Sequence, residues 1–230
     1  EGSAKVRADF TLTARRKAAS RYTILMTADP QIRSRNARYD NFAFHSIDVY
    51  EEMCRDLQET AASITDRPVY SISLGDLVWD NMPFHSVYKE QIRKIGVPVF
   101  QVIGNHDHDK AIGMDTEADH SFRAAFGPTY YSYNIGDCHF VVLDDVLYTG
   151  SSNYTAEITE AQMAWLEQDL KHVSKDKLII LGVHIATSRR NRPTSHIANY
   201  RELYALLDGY NVRILSGHSH NNYTTTISET

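Results

Sequence analysis

Six short apolar runs of strand type, separated by longer stretches whose apolar residues recur three and four apart, constrain this chain more than any other feature. The runs cover residues 22–28, 68–74, 97–103, 139–143, 178–183 and 212–215; the helical stretches cover 44–64, 84–96, 158–174 and 197–210. Such alternation predicts an α/β fold. Thr159 stands three residues before Gln162, a capping-box pattern that marks a helix start. Two strand-like runs meet at Gly136-Asp137, which predicts a hairpin and therefore a mixed sheet system.

With 230 residues and 42% apolar composition the chain can bury a full core. Its net charge of -5 lacks the basic footprint of a dedicated nucleic-acid binder, so long nucleic acid is not an expected partner. Cys54 and Cys138 are too few for a disulfide framework. No run reaches the roughly 18 apolar residues of a membrane helix, and no targeting signal is legible, so the compartment stays open. Residues 5–13 read as an extra strand and 14–20 as a basic linker. The expected organisation is therefore an N-terminal strand and linker over 1–20, then one domain over 21–230. The opening without Met and the polar ending read as a fragment, with a continuation after residue 230 expected to complete a sheet or add a domain.

Five of the strand candidates end in good metal ligands: Asp29-Pro30-Gln31, Gly75-Asp76, Gly104-Asn105-His106-Asp107, His184, and Gly217-His218-Ser219-His220. Taken singly, each has an ordinary explanation. An Asp after a strand is usually a turn former, and Gly-Asn makes tight turns. Together they are different, because ligands of open α/β sheets bind beyond the carboxyl ends of the strands.

This ordered set of motifs resembles the calcineurin-like metallophosphoesterase superfamily, in a branch with Asp-x-Gln where Asp-x-His is commoner. The resemblance runs from Tyr22 to His220. It implies a four-layer αββα sandwich of two mixed sheets flanked by helices, with two divalent ions (Mn, Fe, Zn or Co) at one edge. Asp76 would bridge the ions; Asp29, Gln31 and His220 would complete one site, and Asn105, His184 and His218 the other. His106 would face the substrate as a catalytic group, with Asp107 holding its ring.

Carboxylate, amide and imidazole ligands without thiolate suit such ions. Two of them can clamp the attacking and leaving oxygens at phosphorus and generate hydroxide near neutral pH. The expected activity is hydrolysis of a small phosphorylated substrate, whether monoester, diester or nucleotide pyrophosphate. The competing class is a catalytically silent binding or scaffolding module of the same fold. Among other polar residues, Asp80 reads as a hydrogen-bond partner of a ligand or as an exposed loop acid, and His108 as part of a solvated turn. Arg189, Arg190 and Arg192 read as a solvated loop near His184. His45, His85, His120, His172 and His196 read as structural or surface residues.

Overall fold

Strands β1 (Thr23–Thr27), β2 (Val69–Leu74) and β3 (Val99–Val102) lie side by side and parallel, in that order. A second sheet runs β4 (Tyr131–Ile135), β5 (Cys138–Val142), β8 (Leu178–Gly182) and β9 (Asn211–Leu215). Here β4 and β5 are antiparallel while β5, β8 and β9 are parallel, so this sheet is mixed. A separate hairpin pairs β6 (Val146–Gly150) with β7 (Asn153–Ala156). These elements belong to a computed structural model that describes residues 20–34, 46–187 and 195–226. The expected N-terminal strand over 5–13 and the arginines at 189, 190 and 192 lie outside the described residues.

The period-2 pattern of the strands sorts their side chains between two layers. Ile72, Leu74, Val102 and Val142 meet between the sheets, with Tyr70, Ile135 and Phe140 forming an aromatic-rich patch beside them. The opposite faces turn to helices. α1 (Ser46–Ser63) and α2 (Phe84–Lys94) place Ile47, Tyr50, Tyr88 and Ile92 in one core, joined by Phe122. α5 (Glu160–Leu170) and α6 (Tyr200–Leu207) pack Leu166, Leu170, Leu203 and Leu207 onto Val141, Ile179 and Leu181. The result is an αββα arrangement. Burial of each such aliphatic side chain contributes about 1.5–3 kcal/mol.

Local chemistry agrees with the sequence at the best-defined ends. Thr159 caps α5, its hydroxyl accepting from the Gln162 amide. The hairpin between β4 and β5 closes on Ile135 opposite Cys138, with Gly136 at φ 57°. Two features were not anticipated. The β6–β7 hairpin turns at Ser151 and Ser152, both at positive φ. The segment before β4 forms short helices α3 (Asp115–Ala118) and α4 (His120–Phe126).

Candidate metal centre

β1, β2 and β3 of one sheet and β8 and β9 of the other end at a common edge, and their following residues are stitched together by backbone hydrogen bonds. Asp29 N donates to Gly75 O (3.2 Å), Gln31 N to Asp76 O (2.9 Å), and Gly217 N to His184 O (3.0 Å). The His218 N–H donates to the Asp29 carboxylate at 2.9 and 3.0 Å. Six of the eight non-glycine residues with positive φ among the described residues sit here: Asp29, Gln31, Asp76, Asp80, His218 and His220. Left-handed backbone costs about 1–2 kcal/mol per residue and persists where the surroundings fix it, commonly at functional sites.

Two glycines permit the close approach. A Cβ on Gly104 would lie 2.2 Å from Asp76 N and 2.3 Å from its Oδ1. One on Gly217 would lie 2.7 Å from both Asp29 Oδ2 and Leu74 O. The glycines of the Gly-Asn-His-Asp and Gly-His-Ser-His motifs are thus required by contact with the acids they surround.

Ligand-type atoms of Asp76, His184 and His218 all lie within 4.8 Å of one another. His184 is fully buried; its Nδ1 donates to Leu74 O at 2.8 Å, which turns Nε2 toward the cluster as the nitrogen that would meet an ion once its proton is displaced. That Nε2 lies 3.3 Å from Asp76 Oδ1 and 3.2 Å from Asn105 Oδ1. His220 Nε2 lies 3.4 Å from Asp29 Oδ1. Gln31 meets Asp76 Oδ2 through its amide nitrogen at 3.0 Å, so a half-turn of the amide is needed to present oxygen to an ion.

The electrostatics of this cluster favour a cation. Burial raises the Asp29 carboxyl, and neighbouring Asp76 adds to the effect. Burial also works against the Asp76 carboxylate, but His184 and His106 outweigh it and hold Asp76 below the usual range. Burial would depress His184; Asp76, Asp145 and Asp29 override it and raise the imidazole to about 10. Clustered buried carboxylates therefore draw positive charge to this spot, and the oxygen and nitrogen donors fit hard to borderline divalent ions.

His106 lies at the rim, with Nε2 4.0 Å from Asp76 Oδ2. Its ring is oriented by Asp80, not by Asp107: His106 Nδ1 meets Asp80 Oδ1 at 2.8 Å. The same oxygen accepts from Lys110 Nζ at 2.7 Å, and Trp79 stacks on the imidazole at 4.3 Å between centroids. Burial opposes the Asp80 charge, yet His106 and Lys110 hold its carboxyl below the usual range.

The expectation that Asp107 holds the His106 ring is corrected by where Asp107 points. His106 and Asp107 share a single 3₁₀ turn, where successive side chains diverge by about 120°. Asp107 is fully buried and accepts from the amides of Leu77 (3.2 Å), Val78 (3.1 Å) and Gly104 (2.8 Å). His85 Nε2 adds a fourth contact at 3.2 Å. Asp107 is thus the strut between the Asp76 loop and the Asn105 loop. Asp107→Ala leaves three buried amides without acceptors and is expected to lower stability by roughly 3 kcal/mol, read from urea denaturation.

Asp145, which sequence reasoning did not single out, plays the matching part under His184. Its oxygens accept from His184 N (3.0 Å) and Ile185 N (2.6 Å), and complete burial pushes its carboxyl up to about 6. His108 is buried rather than solvated; its ring stacks on Tyr148 and its Nδ1 pairs with Gly104 O.

The model of the calcineurin-like phosphoesterase family matches residues 22–222, and the chain belongs to that family. It is 24% identical over 160 residues to the serine/threonine-protein phosphatase CPPED1 of Pongo abelii, covering 65% of this chain and 50% of that protein. The Rattus norvegicus protein of the same name is 30% identical over 121 residues, 49% of this chain and 38% of its own. The chain thus spans half or less of the length of these relatives. Among solved structures, the purple acid phosphatase PPD1 from yellow lupin (Lupinus luteus) seeds superposes with a TM-score of 0.58 at 20% identity. That match covers 86% of this chain and 38% of the lupin chain, and it identifies the shared fold.

Proposed function

We propose that this chain hydrolyses phosphoesters with a two-ion centre. Asp29, Gln31, Asp76 and His220 would hold one ion, and Asp76, Asn105, His184 and His218 the other. The observation that carries this reading is the convergence of Asp76, His184 and His218 on one spot, with the His106 imidazole beside it. When bound, the ions supply Lewis acidity and a water of lowered pKa, as divalent pairs do in phosphatases. Mn, Fe, Zn and Co all suit the donors.

The protein's own side chains do the rest. His106 Nε2 faces the Asp76 side of the centre, where its proton can pass to the leaving oxygen as the phosphorus–oxygen bond breaks. Asp80 fixes the ring by accepting from Nδ1, and Trp79 holds the imidazole in one plane. A backbone bond from Asp80 N to His106 O (3.1 Å) ties the two loops together. Selectivity among monoesters, diesters and pyrophosphate-linked nucleotides rests with the surrounding loops. The names of the relatives add phosphoserine and phosphothreonine to the substrates worth testing. Among the described residues no helix is long and apolar enough to cross a membrane.

Purified protein is expected to hydrolyse p-nitrophenyl phosphate or its bis ester when Mn is added and to lose the activity on chelation. Inertness toward these and a panel of phosphomonoesters, diesters and nucleotides, with metal bound, would favour the silent scaffold instead. Gln31→His replaces a neutral amide donor with imidazole and is expected to tighten the first site for Zn or Co. Metal titration checks this, and unchanged affinity would remove Gln31 from the ligand set.

A further inference from the structure

A cavity of about 590 Å³ opens between α2, α4 and the outer edge of β3. Ile92, Val97, Phe100, Phe122 and Phe126 form its apolar wall, and Lys89 and Arg93 line it as well. Its volume falls within the range of about 300–1,000 Å³ typical of small-molecule sites. The wall is rigid: Phe122 and Phe126 pack on each other at 5.1 Å and edge-on to His85, which is anchored on Asp107 and Ser121.

Two observations decide what such a cavity takes. The edge of β3 is already capped, since the Tyr131 hydroxyl accepts from Gln101 N (3.1 Å) and donates to Gln101 O (2.8 Å). Gln101 Nε2 also reaches Val99 O. A peptide strand therefore finds few main-chain partners there. The cations differ in their commitments. Lys89 donates to Ala125 O, whereas among the described residues no acid or carbonyl engages the exposed Arg93 guanidinium. A planar guanidinium beside an apolar wall matches a carboxylate on an apolar chain.

We propose that this cavity binds an alkyl-chain carboxylate, with the chain against Phe100, Phe122 and Phe126 and the head group on Arg93. The proposal is independent of the phosphoesterase reading. Calorimetric titration of the protein with dodecanoate below its micellar concentration tests it. One saturable site is expected, with dodecanol binding about tenfold more weakly because it lacks the charge-assisted bond. Arg93→Gln, at an exposed position, is expected to weaken dodecanoate binding by a similar factor without changing the thermal midpoint. Ala125→Trp, which fills the cavity, is expected to abolish binding. No saturable site in the wild-type protein would overturn the proposal. So would equal binding of acid and alcohol, or an affinity unchanged in Arg93→Gln.

Discussion

Replacing Asp76 by Asn is expected to reduce phosphoester turnover by roughly a thousandfold and to lower metal content. Asp76 is 1% exposed, lies on both halves of the proposed centre, and accepts from the His106 amide at 2.8 Å. Asn keeps the size but removes the charge that balances two divalent ions. Loss of one electrostatic contact to a transition state typically costs a factor of about 10²–10³, and here metal binding is lost as well. The neutral side chain also relieves the crowding of buried carboxylates near Asp29. The same change takes from His184 the buried partner that favours its charged form, so a thermal melt run beside the assays separates lost metal from lost stability. Elemental analysis alongside steady-state kinetics reads both effects; an active Asp76→Asn protein with full metal content would exclude Asp76 as a bridging ligand.

The second large effect separates His106 from the metals. His106→Ala is expected to lower kcat by about 10²–10⁴, the usual contribution of a positioned general acid, with metal content close to wild type. Asp80→Asn should fall in the same direction by a smaller factor, about 10–100, as for groups that orient a functional residue. The paired comparison with Asp107→Ala is diagnostic. Asp80 touches the His106 ring, while Asp107 binds three backbone amides and His85. Asp80→Asn should change turnover at unchanged stability, and Asp107→Ala should change stability first. The reverse pattern would restore Asp107 as the partner of His106.

The strand ends were legible because a period-2 apolar run followed by Asp, Asn or His is a local signal, and five of them fell at the edge of parallel strands. The partner of His106 was not legible. Sequence adjacency pointed to Asp107, but a 3₁₀ turn separates neighbouring side chains, and Asp80 arrives from a different loop through a positive φ of 53°. His108 was misread for a related reason: its polar neighbours in Gly-Asn-His-Asp-His suggested solvent, whereas Tyr148 on the later hairpin covers it. That hairpin was itself hidden, since its turn takes positive φ at two serines rather than at Asn-Gly. α3 and α4, with 4 and 7 residues, are too short to establish a helical period.

In the proposed mechanism, turnover depends on two ions held at the edge where the sheets meet. Titrating chelated protein with Mn while following p-nitrophenyl phosphate and bis-ester hydrolysis tests it most directly. No activity is expected without metal and a maximum only when two equivalents are bound, with His106→Ala binding the same two equivalents but turning over slowly. Full activity in the metal-free protein, or a maximum at one bound equivalent, would contradict it.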